Sequence, residues 1–172
     1  VVLKPSPYTP LSTLKLGEIL RQALPPGVLN VISGGDAAGA QMTTHPAVRK
    51  ISLTGSIATG KAVAAAAAPD LKRFVLELGG NDAAIVLADV NVEEVAEKLL
   101  WGAFENSGQV CQAIKRLYIH EAVFNPLLEK MAELAEGLKM GDGLEPGTQL
   151  GPINNRPQFE RVIGLVEDAR NR

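Results

Sequence analysis

The sequence predicts an α/β fold built around a parallel sheet covered on both faces. Three features carry that expectation. Short apolar runs alternate with stretches of helical spacing along most of the chain. Turns rich in Gly, Pro, Asn or Asp punctuate the alternation. Hydrophobic residues fill 46% of 172 positions, enough to bury a core without disulfides or metals. Strand–helix–strand units connect by right-handed crossovers, which keeps successive strands parallel.

Residues 1–3 read as a short strand. Thr9 offers a helix N-cap with Pro10 at the first helical position. Leu11, Leu14, Ile19, Leu20 and Ala23 follow at helical spacing until Pro25-Pro26-Gly27 stops the helix. A second strand is expected at 28–32. Gly34-Gly35-Asp36 then turns the chain into a short helix through Ala40 and Met42. A third strand follows at 48–53, a turn at Gly55-Ser56, and an alanine-rich helix at 59–68 that Pro69-Asp70 ends. A fourth strand is expected at 74–78. Beyond Gly79-Gly80, the pattern predicts a strand at 83–87 and a helix at 92–105 capped by Asp89 or Asn91. A strand at 115–119 and a helix at 124–139, with Pro126 early in it, come next. After a polar loop (Gly141-Asp142-Gly143, Pro146-Gly147), a last helix is expected at 158–168.

Bulk composition excludes several function classes. Seventeen basic and 19 acidic residues are mixed along the chain for a net charge of −2, so no basic stripe points to nucleic acid. Gly, Pro, Lys or Asp interrupts every apolar stretch before the roughly 18–20 residues a membrane span needs. No signal peptide is visible. One cysteine cannot form an internal disulfide, and a reducing, cytoplasmic setting is expected. The chain opens on strand-like Val1-Val2-Leu3-Lys4 and closes inside a running helix, so a piece of a longer polypeptide is expected.

Two segments concentrate the chemistry. In Phe104-Glu105-Asn106-Ser107-Gly108-Gln109-Val110-Cys111, the lone cysteine follows a Ser-Gly turn able to present backbone N–H groups near the sulfur. Thiolate is the nucleophilic form and needs a helper environment. The alternative is a small buried hydrophobe. In Leu76-Glu77-Leu78-Gly79-Gly80-Asn81-Asp82, a carboxylate sits within an apolar strand. Burial there would suit a base working near neutrality, whereas a water-facing strand-end glutamate is the plainer reading. Gly79-Gly80 permits close approach of a flat ligand, or is only a bend. Gly55-Ser56-Ile57-Ala58-Thr59-Gly60 lies where a strand gives way to a helix, a position suited to phosphate, although the G-x-G-x-x-G spacing is absent. Lys4 ends a strand at the same expected edge of the sheet. His45 and His120 stand at element ends, with no cluster that reads as a metal site.

Together these segments resemble the NAD(P)-dependent aldehyde dehydrogenase superfamily. The glutamate segment (76–83) and the cysteine segment (104–113) match the two family signatures in the family's order, with Glu77 and Cys111 34 residues apart. Lys4-Pro5-Ser6, Pro25-Pro26-Gly27-Val28-Leu29-Asn30-Val31 and Thr54-Gly55-Ser56 also fall where the family has them. The resemblance implies a Rossmann-type sheet forming the second half of an NAD(P)-binding domain over 1–78. The N-terminal part of an α/β catalytic domain would occupy 79–172. It implies Cys111 as the nucleophile, giving a thiohemiacetal and then a thioester, with its backbone N–H as half of an oxyanion hole. Glu77 is implied as the general base. Lys4 and Gly35 would lie at the adenosine, Gly55, Ser56 and Thr59 at the pyrophosphate, and Leu78 and Gly79 along the nicotinamide.

Some positions depart from the family pattern. The glutamate that many NAD-preferring members carry three residues after the lysine is Pro7 here, which leaves both NAD and NADP open. Asn81 stands where lysine is common. The family's oxyanion-hole Asn and its second ribose-binding Glu lie outside these residues. The piece alone is therefore expected to be inactive, and the parent to be a homodimer or homotetramer acting on an aldehyde. Alternatives are a catalytically silent binding or structural protein on the same fold, or a non-acylating phosphorylated-aldehyde dehydrogenase. Acyl transfer to coenzyme A is disfavoured by Glu77.

Overall fold

A computed structural model describes residues Val1–Arg172, which form two compact units, Val1–Glu77 and Leu78–Arg172. In the first unit, β1 (Val2–Leu3) pairs in parallel with β2 (Asn30–Val31). Strand β3 (Lys50–Gly55) neighbours β4 (Arg73–Leu78). Helices α1 (Leu11–Leu20), α2 (Asp36–Thr44) and α3 (Ile57–Ala67) connect them. In the second unit, β5 (Asp82–Val86) pairs in parallel with β6 (Ile114–Ile119). Helices α4 (Val92–Phe104), α5 (Glu121–Glu136) and α6 (Arg156–Asn171) complete it.

The α/β alternation is as expected, but the strands form three separate pairs rather than one continuous sheet. Strands β1 and β2 are only two residues long because turns consume their flanks. The Val28 N–H donates to Pro25 O (3.2 Å) through a left-handed Gly27 (φ 83°), so the pairing expected over 28–32 narrows to Asn30–Val31. Capping explains the shifted helix starts. Pro10, not Thr9, is the N-cap of α1, since its carbonyl accepts the Leu14 N–H (3.0 Å), while Thr9 donates into a preceding turn at Ser6 O (3.3 Å). Asn91 caps α4 by accepting the Glu94 N–H (3.3 Å), resolving the choice between it and Asp89. His120 starts α5 three residues early, its Nδ1 accepting the Ala122 N–H (3.2 Å). Asn155 likewise starts α6 by accepting the Gln158 N–H (3.0 Å).

The core of the second unit joins Val86 of β5, Ala96 and Leu99 of α4, and Val123 and Leu127 of α5. Helices α4 and α5 thus bury their apolar stripes against each other and against one face of the β5–β6 pair. In the first unit, Val63 and Ala67 of α3 are buried, as is Lys72. The Lys72 ammonium donates to Thr43 O (2.9 Å) and His45 O (2.8 Å), closing the C-terminal end of α2, and pairs with Asp70 (3.4 Å). No helix is long and apolar enough to cross a membrane.

Candidate active site

The turn carrying Cys111 begins where α4 ends. Asn106 (φ 50°, ψ 37°), Ser107 (φ 58°, ψ 34°) and Gly108 (φ 73°) are three consecutive left-handed residues. Gly108 adopts this conformation freely and Asn106 tolerates it, but Ser107 must be held there at a cost on the order of 1 kcal/mol or more. Bonds within the turn and one to a distant segment hold it there. Asn106 O accepts the Gln109 N–H (3.2 Å) and the Gln109 side-chain amide (2.9 Å), while the Asn106 side chain donates to Gln109 O (3.4 Å). The Ser107 hydroxyl donates to Gly151 O (2.8 Å). A cavity of about 330 Å³ opens beside this turn, lined by Ser107, Gly108, Gln109, Ile153, Asn155 and Gln158.

Past the turn, Cys111 is exposed. The alternative of a buried, inert thiol is thereby removed. Its backbone is fixed from the side of the glutamate segment, because Gly80 N–H donates to Cys111 O (3.1 Å). A Cβ at position 80 would lie 2.7 Å from that same oxygen, so only glycine permits the bond. Gly80 therefore serves close backbone approach rather than a bend alone. At Gly79 a Cβ would meet nothing within 4 Å, which leaves an open face against which a flat ring fits. Leu78 beside it is half-buried.

Glu77 differs from the expectation of a buried carboxylate. Along β4, Leu76 and Leu78 are half-buried and Glu77 between them is exposed, as the two-residue period of a strand requires. The neighbouring Phe74 and Val75 are also exposed (45% and 42%), so the surroundings that looked apolar in sequence do not desolvate the acid. Glu77 is an exposed carboxylate.

The residues expected at a cofactor occupy strand and helix ends of the first unit. Lys4 is half-buried, and its ammonium donates to Pro5 O (2.8 Å) and Gly34 O (3.0 Å), tying the end of β1 to the segment before α2. Two of its three protons are thus engaged by backbone. Gly35 is the N-cap of α2 and faces open space. Ser56 is the N-cap of α3: its hydroxyl oxygen accepts the Thr59 N–H (3.1 Å) and lies 2.9 Å from the Thr59 hydroxyl. Thr59's amide is accordingly satisfied within the turn. The amides of Ile57 and Ala58, in the first turn of α3, are the donors left to point out of the helix. A Cβ at Gly55 would make only ordinary contact with Leu53 (3.7 Å), so its flat profile is not demanded by packing. A dinucleotide fits this donor set, with anion-seeking helix amides, an ammonium and glycine faces left uncovered.

Sequence reasoning missed the backbone geometry of the cysteine turn and the contact that Lys115 makes with it. The left-handed conformations of Asn106 and Ser107 were foreshadowed only by the Ser-Gly pair. Lys115 carried no signal, because its contact depends on a step in register between β5 and β6.

A family model described as "Aldehyde dehydrogenase family" matches residues 1–172. A probable aldehyde dehydrogenase of Pseudomonas sp. is 49% identical over 159 residues, covering 92% of this chain and 33% of that protein. A crystal structure of an alanine variant of aldehyde dehydrogenase C from Pseudomonas syringae, solved with NAD+ and octanal, superposes with a TM-score of 0.93. It is 38% identical and covers 97% of this chain and 35% of that one. An E. coli NADP-dependent enzyme gives a TM-score of 0.93 at 38% identity, covering 99% of this chain and 36% of its own. The chain thus spans about one third of the length of the proteins it matches.

Proposed function

Because this chain belongs to the aldehyde dehydrogenase family, we propose that it carries the nucleophile and the general base of an enzyme oxidising an aldehyde to a carboxylic acid with NAD(P)+. The observation that carries this reading is the Gly80–Cys111 backbone bond of 3.1 Å, which fixes an exposed thiol's turn to the segment that follows Glu77 in the chain.

Cys111 attacks the aldehyde carbon, and its own backbone N–H donates to the oxygen that becomes negative, giving a thiohemiacetal. The nicotinamide, when bound, supplies the two-electron acceptor that this oxidation needs. The product held on Cys111 is a thioester, activated enough for water to cleave it. Glu77, exposed near the end of its strand, takes a proton from that water as it attacks, and the acid leaves with the thiolate restored. Lys4 and Gly35 would hold the adenosine side of the cofactor. Gly55, Ser56 and Thr59 would form the pyrophosphate turn, and Leu78 and Gly79 would line the nicotinamide. Pro7 places no carboxylate near a 2′-phosphate, so the reading admits NADP as well as NAD. The parent is read as a cytoplasmic homodimer or homotetramer, with residues 1–78 in its cofactor domain and 79–172 in its catalytic domain.

Turnover by the full-length protein, followed by absorbance of the reduced nicotinamide with an aldehyde present, tests the assignment. Cys111→Ser should abolish it. Glu77→Gln should give one burst of reduced cofactor and then stall, because acylation precedes the step that needs the base. Sustained turnover by Cys111→Ser would refute the reading.

A further inference from the structure

We propose that Lys115 is a positioning residue for the Cys111 nucleophile, its ammonium clamping the carbonyls of the turn that carries the sulfur. The inference rests on reading Cys111 as a nucleophile. It begins at an irregularity in the β5–β6 ladder, where Asp82 pairs with Ile114 but Ala83 pairs with Arg116. Lys115 is the residue skipped. A bulge of this kind re-aims the side chain of the extra residue. Here it sends the lysine back along the chain toward Cys111 instead of out along the strand.

The ammonium has three protons, and three carbonyls of the turn surround it. It donates to Ala113 O at 2.9 Å and to Val110 O and Cys111 O at 3.4 Å each. Cys111 O thereby receives two donors, Lys115 Nζ and the Gly80 N–H. The backbone at positions 110–113 cannot pivot without breaking several of these bonds together. An exposed lysine ordinarily keeps its rotamer freedom, worth about 2 kcal/mol, and spends it on water or a nearby carboxylate. Lys115 takes part in none of the chain's salt bridges. Its ammonium is thus held by the three carbonyls of the turn rather than by a carboxylate.

Alkylation is read by mass spectrometry on the peptide that holds Cys111, the one cysteine of these 172 residues. The test compares iodoacetamide alkylation rates at one pH for the wild type, Lys115→Met, Lys115→Gln and Lys115→Arg, with N-acetylcysteine as the unassisted thiol. Thermal unfolding is measured on each protein. The expected result is a loss of about three- to tenfold in rate for both neutral variants at an unchanged unfolding midpoint, the scale of one ordinary intramolecular hydrogen bond. Arginine, which keeps the charge but presents its donors in a planar fork, should recover part of the lost rate. Equal rates for the wild type and both neutral variants, with the wild type still faster than N-acetylcysteine, overturn the clamp and leave the nucleophile standing. A wild type no faster than N-acetylcysteine overturns both. A rate loss that follows a lowered midpoint and is not rescued by arginine also overturns the clamp.

Discussion

At Gly80 one methyl group decides whether two segments can meet. A side chain there would press on the Cys111 carbonyl at 2.7 Å, so Gly80→Ala should cost about 1–3 kcal/mol in urea unfolding and slow alkylation of Cys111. Gly79→Ala, with open space around its Cβ, should stay within about 0.5 kcal/mol of wild type. The two glycines are indistinguishable in sequence, and only the contact made by the second separates them. Lys72 presents a different balance. Its side chain is 3% exposed, and its ammonium serves the carbonyls of Thr43 and His45. Lys72→Met would leave those carbonyls without that donor in a buried setting, and a loss of about 1–3 kcal/mol in urea unfolding is expected. At this scale the sequence offered Cys111 and Glu77 as candidates but did not reveal their exposure. The apolar neighbours of Glu77 read as a burying environment, yet strand alternation turns the carboxylate outward.

Helix ends account for most of the difference between the expected and observed elements. Gly and Pro mark where a helix must stop, and these stops were legible. Asn91, His120 and Asn155 start helices through a side-chain acceptor, and His120 is not among the residue types that ordinarily announce a cap. Asn91→Ala should therefore lower the stability of the second unit by about 1 kcal/mol, read from its chemical unfolding midpoint. Between elements, Lys130 of α5 joins Glu93 of α4 (2.9 Å) and Glu133 of its own helix (3.1 Å). Hydrogen bonds to the Glu93 and then the Glu133 carboxylate raise the Lys130 pKa above its ordinary value. A raised lysine contributes its stabilisation fully below the unfolded-state lysine range and loses it as pH climbs through the folded value. Amide exchange across the α4–α5 contact, corrected for its intrinsic pH dependence, should lose protection over that alkaline interval in the wild type. The same interval should leave Lys130→Met unchanged.

Over the whole chain, apolar exposure is extensive within each unit. Leu11 (78%) and Leu71 (90%) stand out in the first, and Ile85 (75%) and Leu144 (92%) in the second. Ile85 is the ladder partner of Tyr118, itself 54% exposed, so the β5–β6 pair carries its apolar character on both faces while this chain covers only one. That explains why the alternating α/β pattern was readable while the extent of burial was not. A fully apolar strand announces two covered faces, and the sequence does not say which residues supply each cover. Two measurements follow. A dye that fluoresces on apolar surfaces should bind the chain, and Ile85→Lys should reduce that signal without shifting the unfolding midpoint. Leu127→Ala, at a residue with no exposure at all, should cost the second unit about 2–5 kcal/mol in urea unfolding.

The left-handed geometry at Ser107 has a stereochemical corollary. An amino acid of mirror-image configuration finds positive φ its natural basin. If the polypeptide were assembled by chemical ligation with D-serine at that position, the residue would reach its native torsion without penalty and keep its hydroxyl. Such a semisynthetic molecule should refold to a more stable product than its all-L counterpart, whereas inverting an ordinary helical serine such as Ser12 should weaken it.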